Sequence, residues 1–384
     1  MVGSASCLSF GLILNTDGRV SLAEQSTSIV RFLDDNEVRE AALHLLSNRG
    51  FPPDLSRIKI VMPALIELVR SRDDEDALRF ACDTFRNFCW SDDGARSLAL
   101  GFGAVPSLIC LLSHSRTEVI AMAASALSKI CAYKPAAVTA QKENSVHKVV
   151  CLLESNDTEV QKSAAFLLSN LCFASKLALV DALESNSIQF LVHLLRSSQN
   201  DVRTAAVKAL MNITVDERAG GHYSQENTIR ALVELVKSGD SEEISLRYAC
   251  GVLRNICWWN DNARFLALHL GVVPLLIRLL WHNNTQVIAM STSALSQICA
   301  YDRAAVAAQT PGIIPRIIRL LAFKETEVQE SAAILLSRLC LASKAARDAA
   351  LKLKARDTLL RLFQSDNGHV RAAGAEAWKN VVRM

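Results

Sequence analysis

One five-residue pattern recurs along this chain at a nearly constant interval, and it decides what the chain can fold into. It reads Phe85-Arg86-Asn87-Phe88-Cys89, then Leu127-Ser128-Lys129-Ile130-Cys131, Leu168-Ser169-Asn170-Leu171-Cys172 and Leu210-Met211-Asn212-Ile213-Thr214. It continues as Leu253-Arg254-Asn255-Ile256-Cys257, Leu295-Ser296-Gln297-Ile298-Cys299 and Leu336-Ser337-Arg338-Leu339-Cys340. Fainter copies end at Leu46-Ser47-Asn48 and at Trp378-Lys379-Asn380-Val381-Val382. The central residues lie 39, 42, 41, 42, 43, 42, 41 and 42 positions apart. A unit of that length cannot bury its apolar face alone, so neighbours must stack into one continuous core. That resolves a difficulty of length, because 384 residues exceed the roughly 250–300 that one compact core holds.

A second period overlies the first. Leu78–Tyr133 and Leu246–Tyr301, offset by 168 residues or four units, are identical at 35 of 56 positions. Thr158-Glu159-Val160-Gln161 returns at the same offset as Thr326-Glu327-Val328-Gln329. Each unit reads as three helices. A short first helix ends at a column holding Ile60, Gly103, Asn144, Asn186, Asn227, Gly271, Gly312 and Lys354, six of eight being Gly or Asn, which tolerate the left-handed conformation of a sharp exit. Pro63, Pro106, Pro274 and Pro315 follow three positions later, where a first helical turn accepts a missing N–H. A polar turn such as Glu154-Ser155-Asn156-Asp157 precedes the third helix, which opens on Glu118-Val119, Glu159-Val160, Asp201-Val202 or Glu327-Val328, acidic groups suited to a helix N-terminus. Val160, Ala164, Leu167, Leu168 and Leu171 then recur at helical spacing, and no strand pattern appears.

Composition agrees with a helical array and excludes several classes. Half of the residues are hydrophobic but only 6% aromatic, with 15 Gly and 8 Pro, which excludes disordered, collagen-like and disulfide-knot chains. A net charge of +3 without a dense basic block excludes a dedicated nucleic-acid reader. The apolar stretch Cys7 to Leu14 has no cation before it, the reverse of a signal peptide, and residues 1–20 are expected to be a leader or partial helix ahead of one superhelix over 21–384. Ser97 to Ser115 is uncharged for nineteen residues, yet its second copy carries Arg278 where the first has Cys110, so no membrane span is expected. Six of eleven cysteines share one repeat column, which predicts small buried thiols and a reducing compartment, cytoplasmic or nuclear. The sequons at Asn156, Asn212 and Asn283 are then coincidental.

From about Ser21 onward this plan closely resembles the armadillo repeat family, on the strength of the bent three-helix unit with Gly ahead of its second helix. The resemblance implies an all-α fold, a right-handed α-solenoid of about nine armadillo-type repeats with atypical first and last units, roughly 90 Å long at ~10 Å per helix layer. It also implies that the third helices line a concave groove in which an asparagine ladder hydrogen-bonds the main chain of an extended peptide. Carried over position by position, that ladder is Asn87, Lys129, Asn170, Asn212, Asn255, Gln297 and Arg338, with Asn48 and Asn380 at its ends and Arg86 and Arg254 beside it. The competing reading is that each Asn ties its own structure. One turn earlier, where importin-alpha receptors carry slot-forming tryptophans, stand His44, Asp83, Ser125, Phe166, Lys208, Gly251, Ser293, Ile334 and Glu376. None is Trp, so the cation–π contacts of a basic signal are missing there. Trp90 and Trp258, three residues after their asparagines, fit either a core or a ligand platform.

Charges at the ladder lean positive (Arg86, Lys129, Lys208, Arg254, Arg338 and Lys379 against Asp83 and Glu376), so an acidic or phosphorylated segment is the expected ligand, as for beta-catenin arrays. Chemistry is not expected. Gly101-Phe102-Gly103 follows a helix and lacks a phosphate-loop Lys, no HExxH or GxSxG motif occurs, and Cys82/Cys89 and Cys250/Cys257 are too far apart along a helix to share a metal. The sequence predicts a non-catalytic scaffold or adaptor gripping an extended protein segment, with no cofactor, metal or nucleic acid. The alternatives are an importin-alpha-like transport adaptor and a regulatory array for a separate enzyme. Gly220-Gly221 predicts a loosened first helix between Val215 and Asn227, and Val381 with Val382 an apolar end open to self-association.

Overall fold

A computed structural model describes residues 55–71, 75–90, 92–221, 225–238 and 242–383. The expected leader and the copy ending at Asn48 lie outside the described residues. The chain divides into two compact units, Met1–Glu143 and Asn144–Met384. The described residues are helical throughout, with no strand among them.

In the first unit α1 (Leu55–Ser71) and α2 (Glu75–Phe88) precede the triplet α3 (Asp93–Gly101), α4 (Ala104–Leu111) and α5 (Thr117–Ile130), and then α6 (Lys134–Lys142). The second unit continues with α7 (Ser145–Leu152), α8 (Thr158–Ala174), α9 (Lys176–Glu184), α10 (Ser187–Leu194) and α11 (Asn200–Ile213). A 3₁₀ turn over Glu217–Gly221 leads to α12 (Gln225–Lys237) and α13 (Glu243–Trp259). Next come α14 (Asp261–His269), α15 (Val272–Leu279), α16 (Thr285–Ile298), α17 (Asp302–Ala307), α18 (Ile313–Leu321) and α19 (Thr326–Ala342). The last triplet is α20 (Lys344–Lys352), α21 (Ala355–Leu362) and α22 (Gly368–Val381). Within the second unit the third helices α8, α11, α13, α16, α19 and α22 pack side by side in chain order.

The predicted corner column accounts for the backbone. Gly103, Gly271, Gly312, Asn144, Asn186 and Lys354 all have positive φ, and among the described residues they alone do. Each is the residue before a second helix. Two members of the column depart from the expectation. Ile60 lies inside α1, which runs on through Pro63, and Asn227 lies inside α12. A β-branched residue resists left-handed backbone, so the helix continues through Ile60. The short helix predicted before Asn227 is reduced to the 3₁₀ turn containing Gly220 and Gly221. Where the corner forms it is sharp: α3 meets α4 at 79° and α14 meets α15 at 82°. Among the described residues no helix is long and apolar enough to cross a membrane.

Three third helices, α8, α16 and α22, begin on side-chain caps, Asp157 accepting from Glu159 and Val160 N–H, Asn284 from Gln286 and Val287 N–H, and Asn367 from His369 and Val370 N–H. Their ends are re-used, since Ser175, Asn260 and Ser343 close one third helix and cap the following first helix. The core is aliphatic, with Phe85, Leu127, Leu168, Leu210 and Leu295 all fully buried two residues before the ladder, each side chain stabilising the stack by roughly 1.5–3 kcal/mol. Eight of the ten described cysteines are buried. Burial pushes the thiols of Cys89, Cys131, Cys250, Cys257, Cys299 and Cys340 up to about 12.

Candidate functional site on the third-helix faces

The ladder column falls near the C-terminal end of each third helix. In the first unit Asn87 is half-buried on α2. Its neighbour Arg86 pairs with Asp83 at 3.0 Å. Lys129, half-buried on α5, places its ammonium 3.7 Å from the centre of the Trp90 ring.

In the second unit the ladder side chains reach back to the preceding third helix. Asn212 Nδ2 donates to Ser169 O at 3.0 Å and to Ser169 Oγ at 2.9 Å. Asn255 Nδ2 donates to Met211 O at 3.0 Å. Arg338 Nη1 donates to Ser296 O, and Asn380 Nδ2 to Ser337 Oγ at 2.8 Å. In each pair the acceptor residue immediately precedes the ladder residue of the neighbouring repeat. Met211 O and Ser296 O lie in the last turns of their helices, where intrahelical partners run out, so Asn255 and Arg338 satisfy them across repeats. Asn255, Gln297 and Asn380 are correspondingly buried, while Asn170, Asn212 and Arg338 are half-buried. Arg254 turns sideways, its Nε and Nη2 donating to Asn255 Oδ1 at 3.2 and 3.0 Å, and burial lowers its affinity for the proton.

One trough opens on this face of the second unit. It is a cavity of about 500 Å³ between α13, α16 and α19. Its floor is polar, with Asn255, Gln297 and Ser293, and its walls include Trp258 and Trp259 on one side and Glu327, Glu330 and Ile334 on the other. Trp258 and Trp259 are exposed and meet edge to face, their centroids 6.3 Å apart. Trp258 is thus a surface aromatic rather than a core filler, as is Trp90, 63% exposed. Together with Phe173, Val215 and Leu341, they form a column of exposed apolar residues three positions after the ladder.

The column one turn before the ladder is filled without tryptophan. Lys208 holds its ammonium 5.5 Å from the Phe166 ring, and burial together with the nearby Arg247 weakens its hold on its proton. Met211 Sδ lies 2.8 Å from where a Cβ of residue 251 would stand, so a side chain there must displace the Met211 thioether. The structure thus brings Asn255, Arg254 and Gln297 together at the trough and leaves Asn87, Arg86 and Lys129 in the other unit. Sequence reasoning missed Trp259, Met290 and Glu330 as lining residues. The signal that marks two of them is a difference between the duplicated blocks: at the 168-residue offset Ser91 becomes Trp259 and Lys162 becomes Glu330.

Val381 is buried and Val382 half-buried. Among the described residues no group of three or more His, Cys, Asp or Glu side chains could hold a metal ion.

Residues 92–132 match the profile of the armadillo/beta-catenin-like repeat, and residues 175–371 that of the plant U-box protein ARM repeat region. No curated protein matches the chain. Among solved structures, an engineered protein is similar at a TM-score of 0.77 and 25% identity, over 95% of this chain and 90% of that one. A designed armadillo repeat protein is similar in fold at a TM-score of 0.57 and 22% identity, over 62% of this chain and 99% of its own. Another, solved with a (KR)4 peptide, has a TM-score of 0.55, the same identity and the same coverage. With the second profile spanning just over half of the sequence, the chain belongs to the armadillo repeat family, in the group described as the plant U-box protein ARM repeat region.

Proposed function

We propose that the protein is a non-catalytic scaffold that holds an extended segment of another polypeptide along the third-helix faces of its second unit. The observation that carries this reading is the trough between α13, α16 and α19, which combines exposed aromatic walls with a polar floor. Exposed indole beside hydrogen-bonding groups is the surface composition that recognition sites favour. The designed armadillo protein solved with a peptide lends the same fold-level support.

A preference for acidic stretches draws support from one place on this unit. Lys208, half-buried, stands beside Arg247, and a carboxylate or phosphate laid against both relieves that repulsion. A region recognising targets for another module is a second reading, favoured by the match to the repeat region of U-box proteins. Thiols kept as small apolar core residues favour a reducing compartment, cytoplasm or nucleus. The repeat interval crosses Glu143 unbroken in sequence, which supports one array over 21–384.

The test is peptide display against the purified protein, followed by photo-cross-linking from a reactive residue placed at Ser331 in the trough. Linear peptides cross-linked at that position are expected. Capture of folded domains alone, with no linear peptide reaching Ser331, refutes the reading.

A further inference from the structure

Charge is unevenly divided along the chain. Residues 261–384 hold sixteen Lys and Arg against nine Asp and Glu, while residues 1–260 are net negative. Part of the excess collects on the second helices. Seven residues after the corner column, an exposed column reads Cys110, Cys151, His193 and Glu234, then Arg278, Arg319 and Arg361. Helix α18 packs against α21, so Arg319 and Arg361 hold matching positions on neighbouring helices. Burial, and then Arg319 itself, weaken the hold of Arg316 on its proton, so positive charge is already crowded there.

The last corner adds to this stripe. There α20 turns into α21 through Lys352-Leu353-Lys354-Ala355-Arg356, with Leu353 and all three cations exposed. Every other positive-φ corner among the described residues is Gly or Asn, whereas Lys354 takes φ 56°. A lysine there carries a backbone cost that glycine would spare, and residues held at such a cost cluster at functional sites. The exposed stripe of α21 runs on through Arg356, Leu360 and Arg361, with Asp357 beside them. Among the described residues Arg319, Lys352, Lys354, Arg356 and Arg361 have no ion-pair partner, and the carboxylates of the same helices, Asp348 and Asp357, have none either.

Unpaired cations call for an anionic partner, and the leucines set among them narrow its kind. A nucleic-acid backbone would pair with the cations and leave Leu353 and Leu360 in water. An anionic lipid surface takes both, phosphate and carboxylate headgroups against the cations and the acyl boundary against the leucines. We propose that the α20–α21 corner, with Arg319 and Arg361, docks this protein on an anionic lipid bilayer. Attachment of this kind needs no spanning helix. None of these residues lines the trough between α13, α16 and α19, so the surface is distinct from the peptide site proposed above and does not depend on it.

The experiment sediments the full chain with vesicles of phosphatidylcholine alone and of phosphatidylcholine with ~30% phosphatidylserine. Binding to the anionic vesicles alone is expected, with release as salt rises to ~0.5 M. Lys354→Gly is expected to weaken binding about fivefold, the effect of one cation near such a surface, while its melting temperature rises. Loss of binding in a more stable protein separates the docking role from the fold. Leu353→Ser with Leu360→Ser is expected to weaken binding several-fold at unchanged charge. Lys134→Gln, which removes one exposed cation from the first unit, is expected to leave binding as it was. Circular dichroism confirms folding, and if the leucine pair fails to fold, Lys354→Gly against Lys134→Gln decides alone. Equal binding to both vesicles, binding that Lys354→Gly leaves unchanged, or an equal loss with Lys134→Gln overturns the proposal. So does capture of a free (Glu-Asp)4 peptide, lost with Lys354→Gly, by a protein that ignores the vesicles, because the surface then takes an acidic polypeptide.

Discussion

Arg264 clasps the end of the preceding helix at Trp258. Its Nη2 donates to Trp258 O at 2.9 Å and its Nε to Cys257 O at 2.7 Å, while Nη1 pairs with Asp261. Arg96 makes the same set at Cys89 O, Trp90 O and Asp93, and Arg347 reaches Cys340 O at 2.7 Å. A first-helix arginine thus satisfies the last carbonyls of the third helix before it, and in two repeats it also fixes the exposed tryptophan.

Removing that clasp strands the half-buried Cys257 carbonyl and hands the exposed Trp258 carbonyl to water. Arg264→Ala is expected to destabilise the second unit by about 2 kcal/mol, the scale of a few hydrogen bonds to a charged group. Urea denaturation followed by circular dichroism measures it. Arg264→Lys, which cannot reach two carbonyls in a fork, is expected to recover less than half.

The ladder makes a sharper prediction about sign. Asn212→Ala removes a donor to Ser169 and is expected to cost about 1–2 kcal/mol. Asn212→Asp puts a carboxylate against the same carbonyl oxygen and is expected to cost more than Ala at pH 7, with the excess vanishing as the new carboxyl protonates near pH 4. Melting temperatures across that pH range give the comparison.

Corner residues separate backbone cost from packing. A Cβ at Gly271 meets nothing within 4 Å, yet φ there is +75°. Gly271→Ala is therefore expected to lose roughly 1–2 kcal/mol through backbone strain alone. Lys354 adopts φ 56° without being Gly or Asn. Lys354→Gly is expected to gain up to about 1 kcal/mol, read as a higher denaturation midpoint.

Buried thiols predict an alkaline limit. A folded thiol held near 12 stays neutral while its unfolded counterpart ionises near ~8.5. The folded state then binds more protons, so the stability these groups contribute is intact below about pH 8.5 and is lost progressively as pH rises toward 12. At neutral pH a thiol reagent is expected to label exposed Cys110 and Cys151 quickly and the eight buried cysteines only after unfolding. Mass spectrometry of the labelled peptides checks both statements.

The helices and their corners were legible because period and backbone chemistry act locally: Gly103, Asn144, Asn186, Gly271 and Gly312 announce themselves by residue type. Ile60 and Asn227 misled because column position alone does not force a break when the chain can continue a helix. The ladder was legible as a column but not in its direction. Whether Asn255 faces a ligand or Met211 O depends on how close the next repeat packs, a tertiary distance no single sequence states. The trough was legible only in part, since Trp258 could have been core, and Glu330 gains meaning only once α19 is seen opposite α13.

The sharp corners at Gly103 and Gly271 have a consequence for biosynthesis. Each divides a long, largely apolar stretch into stubs of nine and eight residues, about 12–14 Å each at the usual helical rise. Either stub is less than half the ~30 Å of a lipid hydrocarbon layer. A segment oily enough to be mistaken for an anchor is thereby denied the straight length an anchor needs, and a single left-handed glycine sets that limit.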